Sequence, residues 1–350
     1  MTQTTRYASV LAKIGAERSN LVGETRIKAL AENKSLTELA VQLRDTSYQE
    51  QISKLSLPLT SRKLERAFNE NLIGAYIKII KYSPKNVRKY LSLYLLRFEI
   101  EHIKALMKAT SAKLSPEQKL MKIYFSVEDH LKKHAVIEEA AKASTPNQII
   151  HVLKDTDYFL PLNMGLKNYE ENGSTAFFDV FLDKLFYEKL YEGYESLNKK
   201  EQSYANFYVS MENDGFTLVT LLRGKALNYE SNWLRLVVPG NYFNLTKSTV
   251  EDLVTAEDFE AAFKLVLDSF YAKYFIKAQT PEETIATAGK AFKKAVFHHA
   301  KSSAISETFN IGSPLAFLTQ KEAEVYNLTV LSLGIDSAMK PEEIRNQLLI

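Results

Sequence analysis

The sequence predicts an all-α protein made of three similar helical bundles, each about 110 residues long. Gly and Pro are scarce, with 12 and 9 copies in 350 residues, whereas the good helix formers Leu, Ala, Lys and Glu are abundant. The same landmarks also recur three times along the chain at a nearly constant spacing. Such self-similarity is typical of repeated supersecondary units.

The first landmark is a helix-start signal. Ser35, Thr145 and Thr255 each stand three positions before an acidic or amide residue, at intervals of 110 and 110 residues. The first two copies fit a capping box, in which the hydroxyl and the later side chain each bind one free backbone N–H of the first turn, and the third fits it less closely because Asp258 is shorter than Glu. We therefore expect a helix to begin at each of these three residues.

A short closing segment follows each signal. It reads LRDTSY at 43–48 and LKDTDY at 153–158, and a related LDSFY occupies 267–271. The first two copies are again displaced by 110 residues, and the third by a further 113. The repeated register indicates that the three segments have equivalent places in the fold.

The second landmark is an acidic residue on a predicted helix with an apolar face. Glu99, Asp214 and Glu324 are each followed by apolar residues at the fourth and seventh positions, which lie on one helix face. Nine residues after the acid, the first two copies carry Lys108 and Arg223. Because one active site needs an asymmetric set of groups, an acid repeated in every copy favours a structural or interface role over catalysis.

These landmarks divide the chain into repeat units at 20–130, 131–240 and 241–350. The N-terminal helix, residues 1–19, precedes the first start signal in the way that the end of one unit precedes the next. We therefore expect it to pack with the C-terminal unit, so that both chain ends close one bundle.

Composition excludes several classes of site and partner. The chain has no cysteine, which removes disulfides, thiolate metal sites and cysteine nucleophiles. The first residues lack the apolar segment of a signal peptide, and no run of ~18 apolar residues predicts a membrane span. The net charge of +3 comes from interleaved charges rather than a basic face, so nucleic acid is not an expected partner.

Candidate chemistry is sparse. His130 and His134 lie four residues apart, a spacing that would place both on one helix face as a metal-binding pair, but no third ligand is evident. His298 and His299 are adjacent, so a helix would point them about 100° apart. Phosphate-binding and nucleophile-elbow glycine motifs do not occur. The sequence thus predicts no catalytic residue, cofactor or metal.

Three segments resemble the C subunit of the archaeal-type rotary ATP synthase, which is related to the d subunit of the vacuolar ATPase. They are the opening helix YASVLAKIGA at 7–16, LLRGK followed by VVPG at 221–225 and 237–240, and EVYNL at 324–328. The last one matches the family's acid-x-x-Asn-Leu pattern through Glu324 and Asn327. His102 and Thr217 replace that Asn in the first two copies, and Asn241 replaces the second Gly of the family's Pro-Gly-Gly.

The resemblance implies three bundles arranged as a funnel about a pseudo-threefold axis. It further implies a non-catalytic rotor subunit on the cytoplasmic face of the membrane, between the proteolipid ring and the central-stalk subunits D and F. Such a subunit transmits torque during ion-driven ATP synthesis or ATP-driven pumping. Two other interpretations stay open from the residues alone: an α-helical repeat scaffold that binds an unrelated protein, and a helical metalloenzyme built on His130 and His134.

Overall fold

The computed structural model describes residues 3–306 and 308–350, and this part of the chain contains helices and no strands. The all-α prediction is therefore confirmed. Residues 1 and 2 of the predicted N-terminal helix lie outside the described residues. The first helix is α1 (Gln3–Arg18).

The remaining helices repeat one order: two short helices, a connecting element of variable length, two long helices and a last short helix. The first copy contains α2 (Glu24–Leu30), α3 (Leu36–Gln42), α4 (Gln49–Ser53), α5 (Ser61–Tyr82), α6 (Lys85–Ser111) and α7 (Pro116–Leu120). After α8 (Phe125–Leu131), the second contains α9 (His134–Lys142), α10 (Pro146–Val152), α11 (Phe159–Asn172), α12 (Ala176–Glu195), α13 (Lys199–Ala226) and α14 (Ser231–Val237). The third contains α15 (Lys247–Thr255), α16 (Phe259–Leu267), a 3₁₀ turn (Ala272–Tyr274), α17 (Pro281–Ser306), α18 (Gly312–Asp336) and α19 (Pro341–Gln347).

Two of the three predicted helix starts are where the sequence places them. The hydroxyls of Ser35 and Thr145 accept the N–H of the third helical residue at the starts of α3 and α10. The Glu38 and Gln148 side chains reach back one residue further than a capping box requires, to the N–H groups of Lys34 and Ser144. Each start therefore resembles a capping box in which the second side-chain bond is displaced by one residue.

The third predicted start, Thr255, is wrong. Thr255 is the last residue of α15, and its hydroxyl donates to the carbonyl of Glu251 in that helix. The next helix begins three residues later, where the Asp258 carboxylate accepts the N–H of Ala261. The starts thus fall at 35, 145 and 258, and the last interval of 113 matches the displacement of the LDSFY segment.

The long helices that carry the acids end in the same way. Lys113, Asn228 and Ala338, each fourteen residues after an acid, have positive φ of 56°, 56° and 54°. The N–H of the following residue bonds the carbonyl five positions back, at 2.9, 2.8 and 2.9 Å. This is the Schellman ending, in which a left-handed residue lets the chain turn back on the helix end. It directs the chain into the last short helix of each copy.

Contacts divide the chain into two compact units. The first comprises Met1–Arg88 and Lys293–Ile350, and the second comprises Lys89–Phe292. In the first unit α18 packs along α5, and α1 lies against both of these helices. In the second, α12 packs between α11 and α13, and α16 lies on α13. The funnel of three bundles and the repeat boundaries at 20–130, 131–240 and 241–350 stay predictions.

The two histidines of the candidate metal pair lie on different helices. Lys132, with φ of 61°, ends α8 after Leu131, and α9 begins at His134. His134 instead bonds the Asp129 carboxylate at 2.6 Å and stacks on the Phe125 ring. In residues 3–306 and 308–350, no three His, Cys, Asp or Glu side chains come together as a metal site. Over the same residues, none of the helices combines the length and apolar character needed to cross a bilayer.

Candidate functional site: three buried acid–tyrosine clusters

The three repeated acids are all buried in the middle of long helices. Glu99 on α6 and Asp214 on α13 are 0% exposed, and Glu324 on α18 is 4% exposed. A buried carboxylate is stable only where donors or a positive charge compensate for its lost hydration. Each acid meets such partners in the copy that follows it along the chain, and the last acid meets them in the first copy.

A buried tyrosine faces each acid: Tyr158 faces Glu99, Tyr271 faces Asp214 and Tyr48 faces Glu324. These tyrosines end the three closing segments noted in the sequence. Two residues before each one, a hydroxyl accepts the tyrosine N–H and donates to the carbonyl three residues back; the hydroxyls belong to Thr46, Thr156 and Ser269. Such local bonds hold the turn that directs the ring inward.

The cluster around Glu324 contains a buried ion pair. The Tyr48 hydroxyl donates to Oε1 of Glu324 at 2.6 Å, and Lys321 Nζ, three residues earlier on α18, lies 2.6 Å from the same oxygen. Lys321 also donates to the Tyr48 hydroxyl at 2.9 Å, and its Nζ lies 4.2 Å from the centre of that ring. The N–H of Val22 binds the other carboxylate oxygen. Burial lowers the pKa of Lys321, and the attraction of Glu324 opposes that shift.

The cluster around Asp214 relies on backbone donors instead of a lysine. The N–H groups of Phe243, Asn244 and Leu245 donate to the carboxylate at 3.0, 2.7 and 3.2 Å. The Tyr271 hydroxyl donates to Oδ2 at 2.8 Å. Burial raises the pKa of Asp214, and these hydrogen bonds oppose the rise because they favour the charged form.

The cluster around Glu99 is the least well satisfied. Lys133 Nζ lies 3.0 Å from Oε1 and 4.5 Å from the centre of the Tyr158 ring. This is an ion pair by distance, yet both Glu99 oxygens lack a well-aligned hydrogen bond among the described residues. Burial raises the pKa of Glu99, and the charge of Lys133 and the Tyr158 hydroxyl oppose that shift.

One donor in each of the three clusters comes from an equivalent place. Val22, Lys133 and Leu245 lie in the segment just before the first helix of a copy, before α2, α9 and α15 respectively. The acid belongs to the preceding copy, counted cyclically. Each cluster is therefore a polar joint between consecutive repeats.

Cations on the last two helices of one copy also cap the first helix of the next. The three contacts run from Lys119 Nζ to the Ala143 carbonyl (2.6 Å), from Lys225 Nζ to the Val254 carbonyl (2.7 Å), and from Arg345 Nε to the Lys28 carbonyl (3.4 Å). A positive charge at a helix C-terminus is favourable because the last carbonyls have no partner within the helix. The copies are thus joined at two places each.

Three residues after each acid, the side chains His102, Thr217 and Asn327 differ for a physical reason. Asn327 exchanges two hydrogen bonds with the backbone of Leu349, twenty-two residues on. His102 Nε2 accepts the N–H of Tyr124, also twenty-two residues on, at 3.1 Å. The equivalent residue in the second copy is Pro239, which has no N–H, and there the Thr217 hydroxyl bonds the Asn213 carbonyl of its own helix.

The basic residues predicted beside the acids lie at the surface. Lys108 is half exposed and pairs with Asp179 at 2.6 Å. Arg223 is exposed, and the third copy has the exposed Leu333 at this position. Among the six residues singled out in the sequence, Glu99, Asp214, Glu324 and Asn327 are buried, whereas Lys108 and Arg223 face solvent. The structure thus separates an internal set from an accessible set.

The sequence did not reveal the tyrosines or lysines as partners of the acids. The tyrosines were visible as the last residues of the repeated closing segments, and their equal displacement was the available signal. Lys321 and Lys133 occupy different positions relative to their acids, so no repeated spacing identifies them. The clusters are closed and buried, and their geometry suits joints rather than substrate binding.

Comparison with known proteins gives a consistent result. The model of the family described as ATP synthase (C/AC39) subunit matches residues 10–347. The C subunit of the A-type ATP synthase of Methanocaldococcus jannaschii is 27% identical, over 98% of this chain and 86% of its own length. The protein of the same name from Pyrococcus abyssi is 27% identical over 97% of this chain and 90% of its own, and that from Thermococcus kodakarensis is 24% identical over 97% and 90%.

Proposed function

This chain belongs to the ATP synthase (C/AC39) subunit family, and we propose that it is a non-catalytic rotor subunit of an A/V-type ATP synthase. In this role it joins the central-stalk subunits D and F to the proteolipid ring, at the cytoplasmic face of the membrane. It transmits torque between ion flow through the membrane and the catalytic head.

The observation that carries the proposal is the match of the family model to residues 10–347, nearly the whole chain. The internal geometry supports it. A subunit that transmits torque needs repeats that keep their relative positions under mechanical load. The repeats here are joined by buried, directional hydrogen bonds and by cations on helix ends. The three repeated acids are buried in these joints, as expected for side chains with a structural role in a non-catalytic subunit.

We assign partner contact to the accessible set rather than to the acids. Lys108 and Arg223 occupy equivalent positions near the ends of α6 and α13, and both are exposed. The buried acids, at most 4% exposed, are out of reach of another subunit. This narrows the predicted interface candidates from six residues to two.

The absence of native cysteine makes a clean cross-linking test possible. Arg223→Cys would carry a single reactive thiol near one end of α13, and Ser203→Cys a matched thiol near the other end, about 30 Å away at 1.5 Å per residue. Each variant is assembled with the proteolipid ring and subunits D and F, and cross-linked products are identified.

We expect the two thiols to cross-link to different rotor components, one to the ring and the other to the stalk. Because all of these parts rotate together, ATP hydrolysis and ion pumping should survive either cross-link. Failure of both thiols to reach ring or stalk would favour the unrelated helical scaffold. A cross-link that reaches the ring and abolishes turnover would place the chain in the stator.

A further inference from the structure

The buried surroundings of Glu99 contain more negative than positive charge. Glu128 on α8 is also 0% exposed, and it raises the pKa of Glu99 by repulsion. Three carboxylate oxygens in this region, both from Glu99 and Oε2 of Glu128, lack a well-aligned hydrogen bond among the described residues, although Lys133 Nζ lies 3.0 Å from Oε1 of Glu99. Within that same part of the chain, neither of the other two acid clusters leaves carboxylate oxygens in this state.

The neighbouring histidine does not supply the missing positive charge. Nε2 of His102 accepts the N–H of Tyr124 at 3.1 Å, so this nitrogen carries no proton. The single proton is therefore on Nδ1, which donates to Oε1 of Glu128 at 2.5 Å. This places a neutral imidazole beside the Glu128 carboxyl group, and the tautomer follows from the hydrogen-bond donors.

The other charged and titratable groups around Glu99 complete the count. Lys133 is the cation that pairs with it, and Tyr158 faces it with a hydroxyl whose pKa burial raises well above the usual value. Asp157, beside Tyr158, is mostly exposed and pairs with Lys189 at 3.2 Å. With both buried carboxyl groups ionised, Lys133 would neutralise only one of the two.

We propose that the native cluster of Glu99, Glu128, His102, Lys133 and Tyr158 is a binding site for one proton, held on the Glu99 carboxyl. The proton cancels the excess charge and turns one Glu99 oxygen into a donor. A low-polarity interior disfavours an uncompensated charge strongly enough that a buried carboxyl takes up a proton instead. Asp214 does not need a proton because four hydrogen-bond donors reach it, and Glu324 does not because Lys321 pairs with it.

The consequence is a characteristic pH dependence. The pKa of Glu99 in the folded chain is above its usual value of 4.5. The stabilisation from the bound proton is therefore complete below that value and is lost as the pH rises through the folded pKa. Between the two, the folded state holds one more proton than the unfolded state. The unfolding equilibrium constant then rises about tenfold per pH unit from this group alone.

The test compares urea unfolding of the wild type with that of Glu99→Gln at pH steps from about 4.5 to 8. An amide keeps the shape of the side chain and cannot titrate. We expect the ratio of the two unfolding constants to change by up to tenfold per pH unit and then to level off, with Glu99→Gln the more stable chain at the alkaline end. Glu257→Gln, an exposed acid in the loop between α15 and α16, is the control and should leave the pH profile unchanged.

A second pair of measurements keeps the proposal falsifiable if Glu99→Gln folds poorly. Carboxyl-carbon NMR of glutamate-labelled wild type should show one buried resonance that titrates above the usual range. Lys133→Met should move that titration to higher pH, because the remaining cation is removed. Parallel pH profiles for wild type and Glu99→Gln would overturn the proposal, as would a doubly protonated His102 ring.

Discussion

Replacing Asp214 with Asn tests whether backbone donors rather than a counter-ion hold the second joint. An amide has one acceptor oxygen. In its best orientation this oxygen keeps the hydrogen bonds from Asn244, Leu245 and Tyr271, and the NH₂ group then faces the Phe243 N–H. Three charge-assisted bonds become neutral ones, at about 1 kcal/mol each, and one donor is left facing a donor, at about 1–3 kcal/mol. Removing a buried charge offsets part of this, since burial raises the pKa of Asp214. We expect a net loss of about 2–4 kcal/mol in the free energy of unfolding.

The loss is measured by urea unfolding followed by circular dichroism at neutral pH, with Trp233, the one tryptophan, as a fluorescent reporter in the same compact unit. Asp252→Asn on the exposed face of α15 is the control for the same chemical change and should alter stability by less than about 0.5 kcal/mol. A loss for Asp214→Asn as small as that of the control would refute the reasoning. It would mean that the desolvation of the carboxylate cancels its hydrogen bonds.

Two further substitutions probe the other repeated features. Ala338→Gly should raise the free energy of unfolding by up to about 1 kcal/mol, because Ala is strained at φ of 54°. Asn228→Gly should raise it by less, because Asn tolerates this region. Thermal unfolding of both variants measures the two changes, and equal stabilisation would contradict this prediction. Tyr48→Phe should cost about 1.5–3 kcal/mol, since it removes a buried hydroxyl that donates to Glu324 and accepts from Lys321. Hydrogen exchange of α18 should rise in Tyr48→Phe, and unchanged protection there would count against the joint.

Much of the fold was predictable because helix signals are local. The scarcity of Gly and Pro, the capping residues Ser35 and Thr145, and the apolar positions after each acid all act within a few turns of one helix. The error at Thr255 arose because two start signals overlap within four residues. Asp258 is a strong N-cap by itself, and α15 runs on through Thr255, so the later signal prevails.

The partners of the acids were not predictable in this way. Tyr48 and Glu324 are 276 residues apart, and no local pattern encodes which buried groups meet across that distance. The lysines are harder still, because the positive charge enters from α18 itself at Lys321 but from the segment before α9 at Lys133. Each copy thus has a buried acid whose charge must be compensated, but the groups that compensate it differ from copy to copy.

This difference between the copies suggests an experiment in which a lysine like Lys321 is introduced at the equivalent positions of the other two copies. Lys321 pairs with its acid from three residues earlier on the same helix, and the equivalent positions are Leu96 before Glu99 and Met211 before Asp214. Residues three apart share a helix face, so a lysine at either position reaches its acid. Leu96→Lys would place a cation beside carboxylate oxygens that lack hydrogen bonds, with its aliphatic stem covering part of the surface lost by the leucine.

Met211→Lys would enter a site whose acceptors are already filled. Met211 is 2% exposed, and Asp214 accepts three backbone N–H groups and a hydroxyl, so the new ammonium would be buried without good hydrogen bonds. We expect Leu96→Lys to change the urea midpoint little and to flatten the pH dependence assigned to Glu99, and Met211→Lys to lower stability by about 3 kcal/mol or more. Equal losses in the two variants would show that burial of the lysine, rather than the state of the acid beside it, decides the outcome.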